Sequence, residues 1–291
     1  MRSEMTFKAF LQETTMSDTS RVISLKTAAE LVRQHCMDAY NQTRNEHAVL
    51  FRGIRSVSGK NALALETDRH VRTAAFTYNI VNLLMSNLPV WSDYPKRNLS
   101  AVCTNSERRA NDYSNNPGEV FVVFPFNGTK IGQCSEYDLW ESFQRLAHIG
   151  TVDFFAEILT DFMSEMVDKN FYTYSKNSQY DKVVASFAKL DAYAKKIGIE
   201  KFKEKAKENE NGEVLFSKYK YALADYDGNF LESLSKLLDP TKNGFKITTA
   251  GHIEKSTDRL GKEMWFSGKA VAVPVDLMDK FMDLMDKYDN V

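Results

Sequence analysis

Glu119-Val120-Phe121-Val122-Val123-Phe124-Pro125 is the stretch on which the fold turns. Five β-branched or aromatic residues run in succession, too few for an ordinary helix and of the type that fits a pleated, buried surface. They read as the clearest strand of the chain. Pro125 stops it, since a residue without an amide donor cannot continue a ladder. Asn127-Gly128 follows, the strongest short-range turn signal, and predicts that Lys130 to Cys134 returns as the hairpin partner.

Working outward, Ala48 to Gly53 is a short apolar run stopped by glycine, and Leu99 to Thr104 is another. Both read as strands. Between them, Thr73 to Leu88 reads as a buried helix, and Pro89 and Pro95 bracket an aromatic turn holding Trp91 and Tyr94. A polar helix is expected from Glu107 to about Tyr113. Ahead of these elements, Ser24 has the place of an N-cap for a helix running from Leu25 to about Asn41. Beyond the central strand, Leu139 to about Leu238 is mostly helical in pattern, with Lys201 to Glu213 as a solvated charge run. Asp239-Pro240 and Asn243-Gly244 close it. Phe245 to Thr249, Met264 to Phe266 and Ala270 to Val273 are strand-like, and Asp276 opens a last helix with Phe281 and Met285 on its apolar side. Strands early, helices in the middle and strands late give an α+β core interrupted by a helical insertion. The segments are 1–20, 21–145, 146–243 (the insertion) and 244–291.

The chain has 291 residues, 43% hydrophobic and 26% charged, with a formal net charge of −1. No general basic field exists to hold nucleic acid or an anionic membrane. Cys36, Cys103 and Cys134 are odd in number and widely spaced, and the five histidines show no metal-ligand spacing, so neither a disulfide framework nor a structural metal is expected. No apolar run approaches the ~18 residues that span a bilayer. With no apolar leader at the N-terminus, the expectation is a protein that works in a cytosol or is carried into one.

Three short signals stand in an informative order: Leu50-Phe51-Arg52-Gly53; then Leu99-Ser100-Ala101-Val102-Cys103-Thr104-Asn105-Ser106 with Ala110 and Tyr113 following; then Gly261-Lys262-Glu263-Met264-Trp265-Phe266. This order resembles the ADP-ribosyltransferases of the Arg–Ser–Glu type. That family has a strand ending in Tyr/Phe-Arg-Gly, a Ser-Thr-Ser-like strand leading into a helix with a small residue, and a late strand opening with the catalytic glutamate. The resemblance covers Val49 to Cys134 plus Phe245 to Val273, a little under half of the chain. It implies a mixed-sheet core, NAD as substrate, and a macromolecular acceptor.

Cleaving the nicotinamide–ribose bond passes through an oxocarbenium-like centre. A neighbouring carboxylate stabilises the developing charge, and Glu263 takes that role. An arginine fork grips dinucleotide phosphates, and Arg52, next to Gly53, takes that one. Thr104 and Ser106 fit the hydroxyl that positions the glutamate or the ribose, and Ser100 is a further candidate; equally, Thr104 and Ser106 fit a helix cap before Glu107. Trp91 and Tyr94 are candidates to wall a nicotinamide pocket. Arg69, Arg72 and Arg97 are candidates for phosphate, Arg97 being best placed. Glu136, Asp138 and Glu141 compete with Glu263. The hydroxyl motif departs from the family in reading Thr-Asn-Ser, and Gly261 stands where arginine-modifying members carry glutamate or glutamine. The expectation is that Arg52, the Thr104/Ser106 strand and Glu263 meet in one cleft.

Met5 to Glu13 resembles the capsid-targeting peptide of internal head proteins in T-even-like phages, with Leu11-Gln12-Glu13 matching the Leu-x-Glu cleavage motif. That resemblance implies a packaged, injected protein acting on a host protein or nucleic acid. A non-enzymatic virion component or a binder of a host factor is the competing reading.

Overall fold

The computed structural model describes residues 19–54, 61–69, 71–73, 78–114, 119–146, 150–218, 223, 225–256 and 260–289. The targeting-like segment, including Leu11 to Glu13, lies outside them. In chain order the elements are β1 (Thr19–Ile23), α1 (Leu25–His35), α2 (Met37–Glu46), β2 (Phe51–Gly53), β3 (Ala62–Glu66), α3 (Ile80–Asn87), β4 (Ala101–Thr104), α4 (Glu107–Asn111), β5 (Val120–Pro125) and β6 (Lys130–Gln133). There follow α5 (Val152–Met166), α6 (Phe171–Lys176), α7 (Tyr180–Ile197), α8 (Ile199–Ala206), α9 (Glu210–Glu213), α10 (Phe230–Leu237), β7 (Lys246–Thr249), β8 (Glu263–Phe266), β9 (Lys269–Pro274) and α11 (Met278–Asp289).

The chain is mixed α and β, about 49% helix and 17% strand, with one antiparallel sheet. The expected mixed sheet is thus corrected: among the described residues every pairing is antiparallel. Two compact units divide the residues, one of Met1–Arg72, Tyr94–Asp138 and Lys246–Val291, the other of Thr73–Asp93 and Leu139–Phe245.

The sheet belongs to the first unit, in the order β1-β3-β9-β5-β2-β4-β8-β6-β7. Only Ser267 and Gly268 separate β8 from β9, although β5, β2 and β4 lie between them in that order. Four ladder steps in a flat sheet span about 19 Å, whereas three Cα steps of chain reach about 11 Å. The sheet must therefore fold back on itself. Side-chain alternation then makes two cores. Phe121, Val123, Ala270 and Ala272 face inward onto Cys103, Ile131, Met264 and Phe266. Val122, Phe124, Val271 and Val273 face outward onto apolar side chains of α1, α2 and α11, among them Ala28, Val32, Tyr40 and Phe281.

The same folding back overturns the expected hairpin. β6 does follow the Asn127-Gly128 turn, but it pairs with β8 and β7, while β9 and β2 occupy both edges of β5. The turn docks elsewhere. Asn127 donates its amide to the His35 carbonyl, and its Oδ1 accepts from the Asp38 amide at 3.0 Å. Those are groups left over where the helix expected from Leu25 to Asn41 breaks at Cys36 into α1 and α2. Ser24 caps α1 as expected, accepting from the Thr27 amide at 3.1 Å. The helix expected from Thr73 begins only at Ile80, with Thr73 and Tyr78 outside it.

The second unit is helical. Phe155, Phe162, Phe171, Phe187, Phe202 and Phe230 are fully buried in it, and Phe187 and Phe230 have ring centroids 5.2 Å apart. The charge run is not wholly solvated. Phe202, Ala206 and Gly212 are buried, so it forms amphipathic turns with one apolar side.

Candidate functional site

β2, β4 and β8 are consecutive in the sheet and carry the arginine, hydroxyl and glutamate motifs. Phe51 stands opposite Thr104, and Thr104 opposite Glu263. Residues opposite each other project from one face, and successive residues of a strand alternate. Thr104 and Glu263 therefore share a face. Arg52 points the other way, in register with the inward-facing Phe121. It is 2% exposed, and its Nη1 donates to the Val102 carbonyl at 2.9 Å. The cleft expected to unite Arg52 with Glu263 is not formed, because the pairing falls one residue from the register that would have built it.

Arg97 takes the place beside Glu263. Its Nη2 donates to Glu263 Oε1 in an ion pair whose side chains are 2% and 1% exposed. Arg97 opens a 3-10 turn, Arg97–Leu99, closed by the Leu99 amide on the Lys96 carbonyl and by Ser100 Oγ, which donates to the Arg97 carbonyl at 2.8 Å. The guanidinium carbon stands 5.2 Å from the centre of the Trp265 ring, within cation–π reach. Tyr94 stacks on Trp265 at 6.1 Å, and Trp265 Nε1 donates to the Pro95 carbonyl at 2.9 Å. On β6, Gly132 makes room for that indole: a Cβ there would sit 2.4 Å from the ring. Cys134 brings its Sγ to 4.0 Å from Glu263 Oε1, while Cys103 packs in the inner core.

The hydroxyl strand leads into α4 with local bonds. Ser106 Oγ accepts from the Arg109 amide at 3.3 Å as N-cap, and Thr104 Oγ1 accepts from the Ser106 amide at 3.2 Å. Asn105 pins the approach to β8, accepting from the Lys262 amide at 2.6 Å. Gly261 has φ +62°, and a Cβ there would meet Asn105 Oδ1 at 2.6 Å. A glutamate or glutamine is thus sterically barred from the position two residues before Glu263. Gly53 serves packing as well: its Cβ would strike the Ala110 carbonyl at 2.4 Å, so α4 lies directly on the end of β2.

Arg109, which no motif reading singled out, stands beside Tyr113, which followed the hydroxyl motif. Arg109 and Tyr113, four residues apart around the end of α4, stand as helical neighbours do, and that spacing was their available signal. The Arg109 guanidinium lies 5.5 Å from the Tyr113 ring, 5.0 Å from the Tyr137 ring and 3.8 Å from Asp138 Oδ2. Burial raises the Tyr113 phenol far above its ordinary pKa; Arg109 opposes this, and Glu263 and Asp138 add to it. Asp138 is buried and Glu136 exposed, and Glu141 belongs to the second unit. So does Trp91, packed between Phe143 and Phe245, whereas Tyr94 belongs to the first. Ser100 is fully buried and accepts the Arg72 guanidinium on its carbonyl, and Arg69 pairs with Glu66 at 2.8 Å.

Among the described residues no helix is long and apolar enough to cross a membrane, and no group of three His, Cys, Asp or Glu side chains could hold a metal ion. The chain matches no protein-family model, no curated protein and no solved structure.

Proposed function

We propose that the first unit is an NAD-cleaving ADP-ribosyltransferase centre of phage origin, built on Glu263, with Arg97 in the role first given to Arg52. The observation that carries this reading is the Thr104–Glu263 pair on adjacent strands, with β2 next in line: the order of motifs in the sequence is the order of strands in the sheet. Glu263 is the carboxylate that faces the developing ribose cation. Arg97 pairs with it and is the arginine nearest to hand for the NAD phosphates. Tyr94 and Trp265 offer a stacked aromatic wall beside the same carboxylate. The acceptor is a host protein or nucleic acid.

A second reading has its own observation. A carboxylate 1% exposed and locked on an arginine 2% exposed is what a structural ion pair looks like, and it favours a non-enzymatic phage protein. Incubation with labelled NAD and a bacterial lysate separates the two. Transfer of label or release of nicotinamide by the native chain, lost in a Glu263→Gln variant that retains its near-UV circular dichroism, supports the enzyme. No turnover and no NAD binding by the native chain supports the other.

A further inference from the structure

A cavity of about 620 Å³ opens on the helix side of the sheet edge, well within the size range of small-molecule sites. It exists because of what β3 and α1 leave unfilled. Ala64 presents only a methyl group where Ile23 and Ala62, on the same face, are buried under α1. Helix α1 ends at His35, so among the described residues Ala64 is only partly covered, while Val271 beside it lies at the rim of the outer core. Leu31, Ala64 and Val271 give an apolar floor, and His35, stacked on Phe126 at 4.7 Å and 16°, gives a flat wall. Around the mouth stand Arg21, Arg69 and Lys269 against one carboxylate, Glu66. Glu66 is engaged by Arg69 at 2.8 Å and by Lys269 at 3.7 Å, whereas Arg21 makes no ion pair among the described residues. The mouth therefore carries an excess of positive charge over a floor without it.

We infer that this cavity binds a planar aromatic anion of about nucleoside-monophosphate size, its ring against the His35–Phe126 wall and its anionic group among Arg21, Arg69 and Lys269. A bare inorganic anion uses only the mouth, and a neutral aromatic only the floor; the arrangement serves a molecule that has both. None of its lining residues is among those around Glu263, so the site stands or falls independently of NAD cleavage.

The test is a titration of the full chain with adenosine 5′-monophosphate, followed by the imidazole proton signal of His35. That signal is assigned by its loss in His35→Gln from among the five histidines. The expected result is a saturable shift, weakened roughly tenfold in Arg21→Glu/Lys269→Glu, since each exposed charge contributes several-fold at most. Both side chains are exposed, and near-UV circular dichroism matching the native chain checks that the variant keeps its fold. Glu263→Gln that retains its near-UV circular dichroism leaves the shift unchanged. A His35 signal unmoved at millimolar nucleotide overturns the inference, as does equal affinity in the double variant. Adenosine alone, or inorganic phosphate alone, binding as tightly as the nucleotide overturns the pairing of ring and charge, and loss of the shift in Glu263→Gln assigns the ligand to the other site.

Discussion

The guanidinium of Arg97 rests on the carboxylate of Glu263, two residues 166 positions apart in sequence and both almost fully buried. Moving either charge out of water is costly, and each offsets part of that cost for the other. Arg97→Met removes that offset from the carboxylate and costs about 3–5 kcal/mol, and Glu263→Leu does the converse. Arg97→Met/Glu263→Leu removes both charges and recovers most of that loss. Urea unfolding of the four proteins of this cycle checks it. A double variant as unstable as the sum of the singles would show that the two side chains are not coupled.

This pair also marks where the sequence stopped being legible. β5 could be read because its signal is local, and so could the Ser24 cap and the turn at Asn127-Gly128. The partner of β6 could not, because it depends on the sheet folding back at Ser267-Gly268 and on β5's edges being taken by β9 and β2. At the site, the adjacency of Thr104 and Glu263 followed from motif order, but the choice between Arg52 and Arg97 hung on parity. Phe51, not Arg52, opposes Thr104, and a shift of one residue moves a side chain to the other face. No local pattern encodes that shift.

Gly53 is expected to tolerate no side chain, for a reason of packing. A methyl group would meet the Ala110 carbonyl at 2.4 Å and the Ser114 amide at 2.9 Å, both backbone atoms that cannot rotate away. Gly53→Ala must push α4 off β2, at about 1–3 kcal/mol by analogy with overpacked cores. The fall in thermal midpoint measures it. Stability within experimental error of the native chain would mean that α4 does not press on the end of β2.

The thiols should be inert in the folded chain. Cys36, Cys103 and Cys134 are all buried, and burial pushes Cys36 up to about 12, partly offset by a hydrogen bond to the Val271 backbone. Thiolate is the reactive form, and almost none exists at pH 8 for such a group. Ellman's reagent at pH 8 is expected to modify fewer than one thiol in the native protein and all three in guanidinium. Rapid native labelling of Cys36 would contradict its placement between α1 and α2.

Asp153, in the first turn of α5, supplies a pH dependence whose sign is fixed. Burial, reinforced by Glu157, holds its carboxyl up to about 6, above the 3.8 of the unfolded chain. The folded state thus binds this proton more tightly, and the contribution of Asp153 to stability is greatest below about pH 4 and falls as the pH rises towards 6. Two pKa units correspond to about 2.7 kcal/mol, but the side chain is only half-buried, and solvent screening reduces this to about 1 kcal/mol. A negative charge in a helix's first turn stabilises it by about 0.3–1 kcal/mol, which subtracts again. Asp153→Asn should accordingly gain about 0.5 kcal/mol at pH 7.5, the difference between those two effects, and nothing at pH 4. Urea midpoints at the two pH values decide it. A variant less stable than the native chain at pH 7.5 would mean that the helix-dipole contribution of Asp153 outweighs its burial.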